Sequence, residues 1–310
     1  MAPAGSLIHT VGQDGLRGRR SEVNRLRVSG LIAALGVLAA LASGPAAEAR
    51  DSDQDVARTM SFGGSCPGCS LARRKLTGAT FAAGNFARAV LSESDLRGAS
   101  FAAANFAGAD FRRTDLRSAS LLGVNFSGAM FDDARMDGVE GAGPNFAGAR
   151  LPRARLSSAQ LVGANFFHAD LSGAKLDSAE LVAANLVGVD GRRADFKNAN
   201  LSGARLTFAH LEDASFRDAT LDGADLSGGR FGRADFHDAS LTGARLYAAD
   251  LSNVRGLEQG QLEAACGDGS TRLPSGLAVK SCRPGSGWGW RVPKAPKAPR
   301  APEAPGNPGD

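Results

Sequence analysis

From Leu71 to Leu251 every fifth residue is Leu or Phe, with three exceptions, and the frame never slips. Leu or Phe fills 34 of the 37 positions, and Met136, Gly141 and Gly191 fill the rest. A period of five fits neither the 3.6 of a helix nor the 2 of an isolated strand. It calls for a chain wound in a repeating coil.

Around each large apolar centre the other positions are also selected. Two residues earlier, 27 of 37 positions from Cys69 to Ala249 are Ala. The residue just before the centre is often Asp or Asn, as at Asp95, Asn105 and Asp170, and the residue two after it is often Gly, as at Gly78, Gly98 and Gly173. That is a short strand with two inward side chains followed by a corner. Gly and Asx suit a corner because they tolerate positive φ and Asx bonds its own backbone.

The unit Ala-(Asp/Asn)-(Leu/Phe)-x-Gly resembles the pentapeptide repeat family over about 185 residues. The resemblance implies an all-β fold, a right-handed quadrilateral β-helix with four pentapeptides per coil. The sequence carries the same twenty-residue interval. Asn85, Asn105, Asn125, Asn145, Asn165 and Asn185 recur at it, and Phe86, Phe106, Phe126, Phe146 and Phe166 follow the first five. Phe196, Phe216 and Phe236 form a second row, and the pairs Phe81/Phe101 and Phe111/Phe131 keep the interval. Stacked aromatics and an asparagine ladder are favoured by in-register strand neighbours. A little over nine coils would extend roughly 45 Å at strand spacing. Each inward Leu or Phe contributes about 1.5–3 kcal/mol by burial. Gly141 and Gly191 leave two centres empty, each a hole costing about 2–5 kcal/mol if unfilled. Val139 and Val189 are expected to help fill them, and Gly141-Ala142-Gly143-Pro144 suggests a bulge or loop.

Outside the repeat the chain divides into 1–49, 50–65, 66–256, 257–285 and 286–310. The first reads as a signal peptide with an N-terminal extension: Arg17, Arg19, Arg20, Arg25 and Arg27 precede the apolar run Leu31 to Leu41, and Ala47-Glu48-Ala49 offers a small-x-small cleavage site. Cleavage after Ala49 makes the mature chain periplasmic or secreted; an uncleaved anchor is the alternative, although the run is short for a membrane span. Residues 50–65 are a linker and 66–256 the β-helix. Glu258 to Ala265 reads as a short helix, and with the following loop it resembles the terminal module of many bacterial pentapeptide repeat proteins, a cover for the last coil's edge. The tail after Trp290, PKAPKAPRAPEAP, is Pro-rich and basic and reads as an extended disordered segment.

Cys66 and Cys69 sit in frame just before the repeat, and Cys266 and Cys282 bracket a turn-rich loop. Disulfides fit an exported chain, with connectivity left open. Cys66-Pro67-Gly68-Cys69 also admits a redox or metal-binding role, but no βαβ context or second ligand pair accompanies it.

Catalysis needs convergent polar groups, and the sequence offers none. His168, His210 and His237 fall on three different faces of a twenty-residue coil. No phosphate loop, zinc signature or Ser-His-Asp pattern is present in the repeat. The reading is therefore no enzyme, no cofactor, no metal and no small-molecule substrate. The face centred on Leu76, Leu96 and Leu116 carries opposite charges two apart: Asp95/Arg97, Asp115/Arg117, Arg135/Asp137, Lys175/Asp177 and Asp195/Lys197. These pairs are expected to neutralise themselves within each strand. The Asn/Phe face carries no charge beside its centres for six coils, and Phe167 points outward there, with Phe208 and Tyr247 farther along. It is the candidate interaction face. The expected function is a rigid structural or protein-interaction scaffold in the cell envelope, with an unknown protein partner or a second copy as a homodimer. The resemblance also raises a DNA-mimic, gyrase-interacting alternative, which needs a strongly acidic surface. Residues 70–255 hold 22 Lys and Arg against 21 Asp and Glu, which disfavours it. The basic excess of the whole chain lies partly in the two ends, so nucleic-acid binding is not expected either.

Overall fold

The computed structural model describes residues 64–282. The signal segment, nearly all of the linker and the Pro-rich tail lie outside the described residues.

The described chain winds as a right-handed quadrilateral β-helix. Residue n lies beside residue n + 20 in parallel register, from Ser65 beside Asn85 to Asp235 beside Arg255. The centres divide into four walls: wall A from Leu71 to Leu251, wall B from Leu76 to Phe236, wall C from Phe81 to Leu241 and wall D from Phe86 to Leu246.

Each pentapeptide accounts for its own backbone donors. The centre donates its N–H to the next coil, as Leu76 does to the Asp95 carbonyl at 2.7 Å. The residue before a centre donates to the preceding coil, as Asp95 does to Arg74 at 2.9 Å. Two after the centre, Gly78 donates to Arg97 at 2.8 Å, and three after it Ala79 closes a turn back to Leu76 at 3.0 Å. The donor just after the centre has no backbone partner, and the Asx carboxyl or amide supplies one: Arg97 N–H reaches Asp95 Oδ1 at 3.2 Å and Ala107 N–H reaches Asn105 Oδ1 at 3.2 Å. Asx precedes the centre because it satisfies this donor. The third turn residue is left-handed at nearly every corner, at Gly98 (φ 64°) and also at Arg113 (φ 58°) and Phe208 (φ 57°), whereas after Phe231 the positive φ falls one residue earlier, on Gly232 (φ 39°). A left-handed third residue is what a type II turn requires.

The core is one column of buried centres and the small residues that precede them by two. Phe86, Phe106, Phe126, Phe146, Phe166, Phe196, Phe216 and Phe236 are all buried. Phe146 and Phe166 stack at 5.0 Å and 3°, and Phe196 and Phe216 at 5.1 Å and 2°. Where Ser94 and Thr114 replace the buried Ala, each hydroxyl donates to the preceding centre's carbonyl, at 2.5 and 2.6 Å.

Three expectations need correction. Gly141 and Gly191 leave no hole. A Cβ at Gly141 would lie 2.8 Å from the Leu121 carbonyl oxygen, and one at Gly191 would lie 2.7 Å from Leu211 Cδ2, so neighbouring coils already close the space. Gly141-Ala142-Gly143-Pro144 makes no bulge, because Asn145 stays in register with Asn125 and Asn165. The helix is one turn, α1 (Gln259–Leu262), shorter than 258–265, because Cys266 must already lie beside Arg245.

That terminal segment closes the last coil. Gln261 accepts the Glu258 N–H at 2.6 Å and donates to the carbonyls of Phe236 and Ala239 at 2.7 and 2.8 Å. Strands β1 (Cys266–Gly267) and β2 (Lys280–Ser281) pair in parallel. Leu246 and Leu251 donate to Cys266 and Arg272, which take the place of a further coil. Leu257 and Leu262 bury over the end of the core.

Candidate functional site: an uncharged wall

Wall D presents the asparagine column outward. Each amide donates to the preceding one: Asn105 to Asn85 at 3.0 Å, Asn125 to Asn105 at 2.9 Å, Asn145 to Asn125 at 3.1 Å, Asn165 to Asn145 at 3.0 Å and Asn185 to Asn165 at 2.9 Å. Each amide oxygen also takes the N–H two residues on, from Ala87 to Val187. The column is thus a continuous, hydrogen-bonded and uncharged strip. Phe167 beside it is 43% exposed.

The uncharged surface is wider than the sequence reading placed it. Around the corner, the outer column of wall C that adjoins it is Ala82, Ala102, Leu122, Ala142, Val162 and Val182, with Leu122 54% and Val162 45% exposed, while the column beyond carries Glu140 and Glu180. The corner itself holds Ala83, Ala103, Gly123, Gly143, Gly163 and Ala183. Leu122 and Val162 were not singled out by the sequence reading, which followed the asparagine column. Counting by twenty places both on one outward column.

Wall B corrects the expected charge pairing. Arg97 and Arg117 grip Asp95 and Asp115 within one strand, both guanidinium contacts lying between 2.6 and 2.8 Å. Arg97 leads the hydrogen bonding that holds the Asp95 carboxyl below its ordinary range; at Asp115 burial pushes the other way and is outweighed by the bonds from Arg117. The reversed pairs behave differently. Asp137 takes Arg155 of the next coil at 3.2 Å and not Arg135, while Arg135 lies 3.7 Å from Asp115. Asp177 accepts the Ser157 hydroxyl at 2.6 Å. Asp195 precedes its centre like Asp95 and accepts the Lys197 backbone N–H at 3.0 Å. An Asp before the centre is aimed along its strand by the backbone donor it accepts; an Asp after the centre has no such donor and turns to a neighbouring coil.

The remaining candidates stay apart. His168 sits at a corner with its ring over Gly188, His210 on wall A, and His237 on wall B beside Asp235. No group of three metal-ligating side chains occurs among the described residues. Cys66 and Cys69 lie within disulfide distance, with Cα atoms 5.5 Å apart, and so do Cys266 and Cys282, at 4.9 Å. No helix among the described residues is long and apolar enough to cross a membrane.

The family model for pentapeptide repeats matches in eight copies, in segments running from residue 75 to 255. The chain belongs to the pentapeptide repeat family. Among solved structures it is similar to HetL, a pentapeptide repeat protein involved in heterocyst differentiation regulation from the cyanobacterium Nostoc sp. strain PCC 7120. That match has 28% identity and a TM-score of 0.57 and covers 72% of this chain and 93% of HetL. QnrB1, a plasmid-mediated fluoroquinolone resistance protein, is matched at 18% identity and a TM-score of 0.28, over 68% of this chain and 94% of that one. A pentapeptide repeat protein from the Arabidopsis thaliana thylakoid lumen is matched at 23% identity and a TM-score of 0.20, over 41% and 77%. No curated protein sequence is matched.

Proposed function

We propose that this pentapeptide repeat protein is a non-catalytic scaffold of the cell envelope that docks a protein partner on the uncharged strip formed by the asparagine side of wall D and the adjoining outer column of wall C. The observation that carries the reading is the combination on one surface of a saturated asparagine ladder with outward Leu122, Val162 and Phe167. A flat surface without charge loses little on desolvation, and its apolar side chains gain from burial. HetL's involvement in differentiation regulation fits an interaction protein of this kind. Export is supported by the basic stretch, apolar run and Ala47-Glu48-Ala49, together with two cysteine pairs within disulfide distance. The balanced charge of the repeat argues against DNA mimicry.

The test is capture from an envelope extract by the mature chain, compared with Phe167→Glu. Phe167 is exposed, so the substitution keeps the circular dichroism and melting temperature, and capture or self-association falls. Unchanged capture and unchanged self-association overturn the docking surface. Recovery of the mature chain in the cytoplasmic fraction overturns the envelope assignment.

A further inference from the structure

The outer edge of wall D carries a second pattern, which shares only Phe167 with the docking surface. Phe167 with His168, then Phe208, then Tyr247 point outward, with Phe208 68% and Tyr247 38% exposed. Phe167 and Tyr247 share one column four coils apart, and Phe208 lies at the level midway between them, one residue over in the corner column of His168 and Ala248. Coils stack at about 4.8 Å, so the aromatic levels recur about every 9.6 Å. Phe208 is seated: one edge of its ring lies over Gly228, where an added Cβ would meet Cδ1 and Cε1 at 2.7 Å.

The same chain contains a segment of matching pitch. Pro293, Pro296, Pro299, Pro302 and Pro305 recur at every third residue. A polyproline II helix has three residues per turn and rises about 3.1 Å per residue, so these prolines would share one edge about 9.3 Å apart. Extended proline edges dock on outward aromatic rings. Lys294, Lys297 and Arg300 would share a second edge. Just past the aromatic column lies the Asp170 carboxylate, which accepts the Ser172 N–H at 3.0 Å and interacts electrostatically with Arg153 and Arg192.

The connection between the two is short. Cys282 lies within disulfide distance of Cys266, and Cys266 lies beside Arg245, two residues before Tyr247 on wall D. The described chain therefore ends next to the last aromatic level. Ten residues, 283–292, separate it from Pro293. They can span up to about 33 Å, enough to turn the segment back along the wall.

We propose that residues 293–305 dock in cis on this aromatic column, prolines against Tyr247, Phe208 and Phe167. The proposal shares Phe167 with the partner-docking surface but is tested at Phe208 and Tyr247, which lie beyond the coils of the asparagine ladder, so either reading can fail without the other. It is tested by native trypsin cleavage of the full mature chain, with the cuts after Lys294, Lys297 and Arg300 followed by mass spectrometry. Docking shields these bonds, so they are cut about fivefold or more slowly than in a synthetic peptide of residues 283–305, since cleavage tracks the undocked population. Phe208→Ser/Tyr247→Ser raises the rate to that of the peptide while the melting temperature of the chain stays close to wild type. The protection does not change on dilution, as a tethered contact requires. Equal rates in the wild-type chain and the peptide overturn the proposal whatever the variant does. Protection that persists in the double variant overturns the site, and protection lost on dilution overturns docking in cis in favour of a second copy.

Discussion

Wall D changes character after Asn185, and wall B changes opposite it. In the earlier coils wall D has Asn outward and Phe inward, while wall B buries Leu96, Leu116, Met136, Leu156 and Leu176. In the later coils wall D turns Arg205, Asp225 and Arg245 outward and buries Leu186, Leu206, Leu226 and Leu246, while wall B buries Phe196, Phe216 and Phe236. Walls B and D face each other across the coil. One ring and one aliphatic chain fill the width in either half, as a close-packed interior of fixed volume requires. The rods differ in what else they pack. The earlier coils add Phe81, Phe101, Phe111 and Phe131 from walls A and C, so Phe126 meets the rings of Phe101, Phe106, Phe111, Phe131 and Phe146. In the later coils Phe196 has one ring neighbour, Phe216.

The largest expected effect breaks this contrast directly. Phe126→Ala should cost about 5 kcal/mol and Phe196→Ala about 3 kcal/mol, since the range for such deletions is set by how many partners lose contact. Because coils interact only with neighbours, the loss at Phe126 should appear in urea as an earlier transition for part of the chain. Equal costs at the two positions would mean that the ring network adds nothing beyond burial.

Much of this was legible in the sequence because a period of five assigns each residue to the inside, the wall or the corner without reference to distance. The twenty-residue recurrence of Asn85 to Asn185 then assigned them to one wall, and the ladder follows from that. What escaped depended on direction within a position. Asp95 and Asp137 both flank a centre, yet only the one before it is aimed by a backbone N–H toward its own strand's arginine. Gly141 looked like a hole because a missing side chain says nothing about how near Leu121 comes. Leu122 and Val162 widen the uncharged surface, and a period of five alone does not single them out; only the count by twenty sets both on one outward column.

A smaller effect separates the two halves at one corner. Gly128 and Gly228 occupy the same column five coils apart, at φ 65° and 66°. Around Gly128 an added Cβ meets nothing within 4 Å, whereas at Gly228 it meets the Phe208 ring. Gly128→Ala should therefore cost only the left-handed backbone, about 1 kcal/mol. Ala248 adopts this conformation in the same column. Gly228→Ala should cost up to about 2 kcal/mol, because the ring must also leave its seat. Thermal melts of the two variants measure the difference, and equal melting temperatures would show that the Phe208 ring is not held by the glycine beneath it.

The smallest effect lies at the closed end and is read through pH. The asparagine ladder contains no titrating group, but the terminal loop is fastened to the last coil by a carboxylate. Asp268 accepts the Ala248 N–H at 3.1 Å, the Ser270 hydroxyl at 2.8 Å and the Thr271 hydroxyl at 3.1 Å. The Ala248 donor, followed by the Ser270 hydroxyl, pulls its pKa down to about 2 from 3.8. A depressed folded pKa means the unfolded chain takes up the proton first as pH falls. The stabilisation is present in full above about pH 4 and is lost as pH drops toward 2. Asp268→Asn removes the titration while keeping an oxygen acceptor. Its hydrogen exchange at Ala248 should be slightly faster than wild type at neutral pH and should change less between pH 4 and pH 2, after correction for the intrinsic exchange rate. An unaltered pH dependence at Ala248 would mean that the loop is held by its backbone contacts to Leu246 and Leu251 and not by this carboxylate.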